Sequence, residues 1–260
     1  LRMKFQGSKM IHRIDGNKWQ YKYKGNLTVK IKSILQNLLI FLTQFLANKI
    51  VYQSEYVRQL WENKLVKNKT VIIYNGSEKN YIYRNFSKDE KPTLISVEGN
   101  ICSAFNSINL IKCLIDYDYE IYGEIDNNNY INELSYFKNV KIKGVVKRDA
   151  IKEILKKNKK YIFVSLEVKT ACPNSVIEAL NHGIPVIGYD SGSMREIVEE
   201  NFGKLVKIDQ NFNIDRNEVI KKIEIINDNY NSMNQSLKNL NKKFSLDFMT
   251  NEYVNEITKT

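Results

Sequence analysis

Short β-rich runs alternate with helix-period stretches along nearly the whole chain, and this alternation is what most limits the fold. Parallel strands need a crossover long enough to hold a helix, so repeated strand–helix–strand order specifies layered α/β structure. From residue 93 the order is regular. TLISVEG (93–99), YEIYG (119–123), NVKIKG (139–144), YIFVS (161–165), IPVIGY (184–189) and GKLVKI (203–208) read as six strands. Helical patterns occupy 104–116, 130–137, 148–157 and the stretch from Asn174 to Gly183, restart at 193, and close the chain at 215–227, 232–243 and 246–258. Six strands so spaced predict a doubly wound parallel sheet whose ligand lies beyond the carboxyl ends of the strands.

The first third repeats the pattern less completely. KMIHRI (9–14), NKIVYQS (48–54) and TVIIYNG (70–76) read as strands, and SEYVRQLW starts a helix with Ser54 as its cap. Between the first two, residues 28–47 carry Ile31, Ile34, Leu35, Leu38, Leu42 and Phe45 near one helical face. Gln36, Asn37, Thr43 and Gln44 interrupt this apolar stretch, so a buried helix is expected rather than a membrane span. Residues 77–92 lose periodicity and end at Pro92, as a linker would. The division expected is a partial Rossmann-like unit with its linker at 1–91 and a complete doubly wound unit at 92–260.

With 43% hydrophobic residues the chain can fill a core, and its net charge of +11 suits an anionic partner. A solvated basic surface is the simpler explanation of that charge, and no motif or aromatic–basic patch points to nucleic acid. Cys102, Cys113 and Cys172 have unrelated spacings and only two histidines accompany them, which argues against a disulfide framework or a zinc site. No signal-peptide pattern opens the sequence; a cytoplasmic protein is expected, with a possible peripheral contact on the inner face of a membrane.

The stretch CPNSVIEALNHGIPVIGYDSGSMREI (172–197) carries the chemistry. Its helix follows strand 161–165, so its amino end should face the ligand crevice, where free N–H groups attract phosphate. Pro173 suits the first turn, and Asn174 or Ser175 is available to cap it. One turn inside, Glu178 is either an acceptor for the vicinal hydroxyls of a sugar or an exposed helix glutamate. Ser191, Gly192 and Ser193 form a small-residue loop that lets a ligand approach the backbone, or an ordinary loop. His12 and Asp15 end the first strand and either orient a hydroxyl or cap their loop.

These residues resemble a family. CPNSVIEALNHGIPVIGYDSGSMREIVEENFGKLV is similar to the donor-binding signature of retaining GT-B glycosyltransferases, the glycosyl transferases group 1. KMIHRIDGN, NKIVYQSEYVRQLW, VIIYNGSE and VKIKGVV extend the resemblance along the chain. It implies two Rossmann-like units facing a cleft, and transfer of a hexose from a nucleotide diphosphate sugar to a glycan or lipid-linked acceptor. It also implies that Glu178 binds the ribose, that the backbone at Asn174 and Ser175 approaches the donor, and that Gly192 and Ser193 lie at the nucleotide pocket. No cofactor beyond the nucleotide sugar is implied, and no acidic cluster for a metal stands out.

Three departures accompany the resemblance. Thr170 stands where the family often has a second acid, with Glu167 nearby as a substitute. Asn100 and neutral neighbours stand where many members carry an Arg and a Lys for the diphosphate, leaving Lys147, Arg148 and Lys169 as the cations available. The first unit begins partway through, which raises a rival expectation: an inactive donor-binding module serving a partner subunit.

Overall fold

The structure, a computed structural model, describes residues 9–18, 27–62, 66–101 and 107–259. It contains two parallel sheets. The smaller has order β1-β2-β3, built from β1 (Ile11–Ile14), β2 (Lys49–Tyr52) and β3 (Thr70–Ile72). His12 pairs with Ile50, and Val51 pairs with Val71. Helix α1 (Leu27–Leu46) crosses from β1 to β2, and α2 (Glu55–Trp61) follows β2, its Val57 N–H donating to the Ser54 hydroxyl at 3.2 Å.

The larger sheet has order β6-β5-β4-β7-β8-β9: β4 (Thr93–Ile101), β5 (Tyr119–Ile125), β6 (Val140–Gly144), β7 (Tyr161–Val164), β8 (Val186–Tyr189) and β9 (Gly203–Val206). Each of these six strands is found within two residues of its sequence reading at either end, whereas β3 stops four residues short of the 70–76 expected. The intervening helices are α3 (Ser107–Cys113), α4 (Asn128–Ser135), α5 (Arg148–Leu155), α6 (Asn174–Asn181) and α7 (Met194–Ile197). The expected start of α3 near 104 lies outside the described residues. Then come α8 (Arg216–Asp228), α9 (Tyr230–Leu237) and α10 (Leu246–Lys259), with a 3₁₀ turn at Lys242–Phe244 where the sequence pattern extends a helix to 243. Apolar side chains form a core on each face of the large sheet, one including Ile162, Val164 and Ile223, the other Phe163, Val176 and Leu180. A third core, with Ile14, Ile50 and Tyr52, fills the small unit.

One expectation is corrected. The apolar stripe of α1 is not buried: Ile31, Ile34, Leu35, Leu38, Leu42 and Phe45 are all exposed, and the helix turns Ser33 and Gln44 inward instead. The narrow three-stranded sheet offers α1 one strip of surface, which the small and amide side chains take, Gln44 accepting a hydrogen bond from the Tyr52 hydroxyl. By length and composition alone α1 could span a bilayer.

The polar stretch 77–92 is held by buried contacts. Arg84 is wholly buried and donates to the carbonyl oxygens of His182 and, at 2.6 Å, Leu155. Those carbonyls end α6 and α5, where helix dipoles are negative, so the guanidinium finds compensation without a carboxylate. Burial lowers its pKa from the ordinary arginine value. Asn234, also buried, accepts from the Arg84 N–H at 3.0 Å and donates to the Ile82 carbonyl at 3.0 Å. Beyond the 3₁₀ turn, α10 runs back to the small sheet, where Glu256 pairs with Lys49 at 2.7 Å.

Candidate functional site

The carboxyl ends of both sheets open on one cleft of about 930 Å³. In the large sheet the strand order reverses between β4 and β7, and ligands of doubly wound folds bind at such a switch point. At the mouth of β4 the register with β5 shifts between Val97 and Asn100. Gly123 permits this, because at φ +136° a Cβ would lie 2.1 Å from the Glu98 carbonyl oxygen. Such a bulge re-aims the side chain it carries, and Glu98 lines the cleft.

Helix α6 begins at the rim of the cleft. Pro173 itself takes the cap position and no side chain caps the helix, so neither Asn174 nor Ser175 acts as its cap. Both line the cleft, beside the uncompensated amino end. Glu178 sits one turn further in with its side chain 17% exposed, because Val176, Ile177, Ala179 and Leu180 face the core and leave this position to the cleft. Its carboxylate pairs with Arg148 at 2.9 Å. Arg148, the first residue of α5, is 75% exposed, so its guanidinium is free to swing toward a ligand.

The other expected residues divide. Thr170 and Asp15 line the same cleft as Glu178 and Arg148; Lys147, Lys169, Gly192, Ser193 and His12 are not among its lining residues. Lys147 is exposed at the cap position of α5. The Lys169 ammonium lies 5.6 Å from the centre of the Phe212 ring, a cation–π contact that draws it aside. Gly192, at φ +63°, packs on the backbone: a Cβ there would come within 2.5 Å of the Thr170 carbonyl oxygen, and the Ser193 N–H donates to that oxygen at 3.0 Å. The glycine loop thus buttresses the segment carrying Thr170. His12 faces α1, with Nδ1 3.2 Å from the Thr43 hydroxyl, and burial lowers its pKa against the opposing effect of Asp15. The Asn100 side chain and residues 102–106 lie outside the described residues.

Several cleft residues were not picked out from the sequence. Asn75, beyond β3, donates to Gln53 at 3.0 Å and to the Cys172 carbonyl at 2.9 Å, and accepts from Arg13 at 2.7 Å. Gln53 in turn donates to Asp15. This amide chain joins the three strand ends of the small sheet to the residue before Pro173, and so fixes α6 against the opposite wall. The Cys172 thiol at this junction is buried and its pKa is pushed up to about 12, which makes it a packing group rather than a nucleophile. Glu196 is a second staple: its carboxylate accepts from the Glu55 and Tyr56 N–H groups and from the Tyr74 hydroxyl, each at 2.8 Å. It caps α2 from the far side of the cleft.

Glu98 and Glu167 lie where β4 and β7 end. Glu98 is 6% exposed, accepts from the Leu166 N–H at 3.0 Å, and has its carboxyl against that of Glu167. Burial, and next the neighbouring negative charge, push the Glu98 pKa well above the usual carboxylate range. An acid closing an otherwise apolar strand just before a glycine, in VEGN, is the signal that could have revealed it. Among the described residues no group of three or more His, Cys, Asp or Glu side chains is arranged to hold a metal ion.

The family model described as glycosyl transferases group 1 matches residues 107–243, more than half of the chain. The chain belongs to this family. No curated protein sequence matches it. Solved structures match in fold at low identity. The pneumococcal O-GlcNAc transferase GtfA, in complex with UDP and GlcNAc, shares 14% identity at a TM-score of 0.64, over 84% of this chain and 46% of its own. The lipopolysaccharide outer core galactosyltransferase WaaB, in apo form, shares 16% at 0.64, over 82% and 62%. Anabaena HepE, in complex with UDP, shares 13% at 0.71, over 99% and 74%. This group 1 family chain thus has the GT-B architecture of two parallel-sheet units about a cleft, and it spans about half to two-thirds of the length of GtfA and WaaB.

Proposed function

We propose that this chain is a retaining glycosyltransferase that moves a hexose from a nucleotide diphosphate sugar to a glycan or lipid-linked acceptor. The observation that carries the reading is Glu178, a cleft-facing acid one turn inside a helix whose amino end is uncapped. In this reading Glu178 accepts hydrogen bonds from the two ribose hydroxyls, and the N–H groups at Asn174 and Ser175 receive the diphosphate. Arg148 exchanges Glu178 for phosphate as the ligand enters, and Arg13 supplies charge from the opposite wall. As the bond from the anomeric carbon to the diphosphate oxygen breaks, its electron pair leaves with that oxygen; the acceptor hydroxyl oxygen bonds to the same carbon on the same face, its proton passes to the departing phosphate oxygen, and the helix end and arginines stabilise the developing charge. Asp15, tied to Gln53, lies on the acceptor side and is positioned to orient the incoming hydroxyl. UDP, bound in the GtfA and HepE structures, is the first nucleotide to test.

A thermal-shift panel of nucleotides and nucleotide sugars tests this directly, because a ligand that binds only the native state raises the melting temperature. Stabilisation by one base with its sugar supports the reading; no shift with any donor refutes it. Thr170, in place of the family's acid, favours a second reading, a donor-binding module that serves a partner subunit. Turnover of a labelled donor by this chain alone would exclude that reading.

A lipid-linked acceptor is favoured by α1. The helix is 20 residues long, carries Lys30 and Lys32 and no acidic residue, and exposes an apolar stripe, so it suits the surface of an anionic bilayer. Co-sedimentation with phosphatidylglycerol vesicles, weakened by Leu38→Glu and by salt, is expected. Self-association through α1 in place of vesicle binding would overturn this assignment.

A further inference from the structure

We infer that the last helix of the chain builds a saccharide subsite for the acceptor: Leu246, Met249 and Tyr253 of α10 offer an apolar ledge to the ring of a sugar, and Arg13 and Asp15 beside it take the sugar's hydroxyls. The inference rests on the glycosyl-transfer reading above and deepens it by naming the group that accepts. The three α10 residues recur at i, i+3 and i+7, so they share one side of the helix, and all of them line the cleft. The helix is fixed at both ends. At its start the Leu246 N–H donates to the Ser77 carbonyl at 2.9 Å, and a Cβ on Gly76 would come within 2.3 Å of the Ser245 carbonyl oxygen, an approach that glycine alone allows. Toward its far end Glu256 is buried and paired with Lys49 of the small sheet. The ledge therefore belongs to the small-sheet wall, across the cleft from Asn174, Ser175 and Glu178, and a sugar resting on it faces the donor.

The chemistry of this wall suits a sugar. A pyranose has apolar C–H faces and a rim of hydroxyls, and an apolar surface edged by a few fixed polar groups matches both. The Tyr253 hydroxyl is buried beside the Arg13 guanidinium, which anchors the polar tip and leaves the ring as part of the ledge. Asp15 is tied to Gln53 and Arg13 through one oxygen, Oδ1, so Oδ2 is left for hydroxyl donors. Arg13 gives one N–H to Asn75 at 2.7 Å and retains further N–H groups for hydroxyl oxygens. Its charge is matched by Asp15 at 3.7 Å, so the wall demands no net charge of its ligand and fits a neutral polyhydroxyl group better than a phosphate. A free glycan and a lipid-borne saccharide present this same chemistry.

The experiment uses the full chain with UDP present and, as probes, the methyl glycosides of glucose, galactose, mannose and N-acetylglucosamine, read by saturation-transfer NMR and calorimetry. At least one glycoside should bind, with saturation concentrated on one face of its ring. Met249→Asp and Tyr253→Ala should weaken it about tenfold through loss of apolar contact, while UDP affinity stays unchanged. Asp15→Asn should cost a similar factor of about ten, the worth of a hydrogen bond to a charged group. Tyr253→Phe keeps the ring and should hold the affinity within about twofold, which separates the ledge from a folding defect. In turnover the same alanine and aspartate variants should raise the KM for the acceptor and leave that for the donor in place. Equal glycoside affinity in wild type, Met249→Asp and Tyr253→Ala would overturn the inference. If UDP binds and no glycoside does, the inference alone fails; if neither binds, the donor-site reading fails with it. Transfer of labelled sugar to the methyl glycoside and to the same sugar on a glycolipid in phosphatidylglycerol vesicles separates the two sources. A higher kcat/KM on vesicles, reduced by Leu38→Glu, assigns a lipid-borne acceptor, equal values assign a free glycan, and transfer to neither overturns the subsite.

Discussion

Replacing Glu196 with Ala should loosen the two walls of the cleft by about 3 kcal/mol. The carboxylate makes three hydrogen bonds of 2.8 Å to groups of the small-sheet half: two N–H groups that open α2 and the Tyr74 hydroxyl. Hydrogen bonds to a charged group contribute about 1.5–3 kcal/mol each. The site is only part-buried and water replaces part of what is lost, so about 1 kcal/mol for each bond is the working figure. Ser54 still caps Val57 in the variant, which keeps α2 formed and confines the loss to the junction. Glu196→Gln retains a neutral acceptor and should lose about half as much. Urea unfolding followed by tryptophan fluorescence measures the change, and a double-mutant cycle with Tyr74→Phe should return a coupling of about 1 kcal/mol. A loss below about 0.5 kcal/mol for the alanine variant would refute the claim that this side chain ties the halves together.

Other expectations follow from single contacts. Gly192→Ala puts a Cβ on the Thr170 carbonyl at a positive φ, so it should lower the melting temperature and weaken donor binding together, by about 2 kcal/mol or more of stability. Arg84→Leu leaves the carbonyls that end α5 and α6 unpaired, and should destabilise by about 3 kcal/mol in urea melts. Because the folded pKa of Glu98 is raised, its contribution to stability is full below the unfolded glutamate value. That contribution is lost as pH rises toward the folded value, and Glu98→Gln should remove this slope from a stability–pH series. Thiol labelling of the native protein read by mass spectrometry should leave Cys113 and Cys172 unmodified until denaturant is added.

The large sheet was legible because most of its strands are short apolar runs, the edge strand β6 alternating apolar and lysine side chains, and parallel pairing leaves little freedom in how such runs connect. Glu178 was legible because an acid breaks the apolar run of α6 at a position its strand order aims at the crevice. What escaped was set by partners far away in sequence. Arg84 reads as a surface residue until two distant chain segments, the ends of α5 and α6, supply its carbonyls. Asn75, Gln53 and Glu196 look like ordinary polar side chains, and their roles appear only when the two halves meet. Lys169 shows the opposite failure: a cation at the right place in the chain, turned aside by a single ring. The apolar stripe of α1 has helical period, but period does not say which face the sheet will take.

The central claim is that Glu178 anchors the nucleotide of a donor in this cleft. Isothermal titration of UDP into wild type and Glu178→Ala tests it most directly, with circular dichroism to verify that the variant is folded. The account predicts measurable affinity for wild type and a loss of about tenfold or more in the variant, as two hydroxyl–carboxylate hydrogen bonds disappear. Undiminished affinity in Glu178→Ala would contradict it.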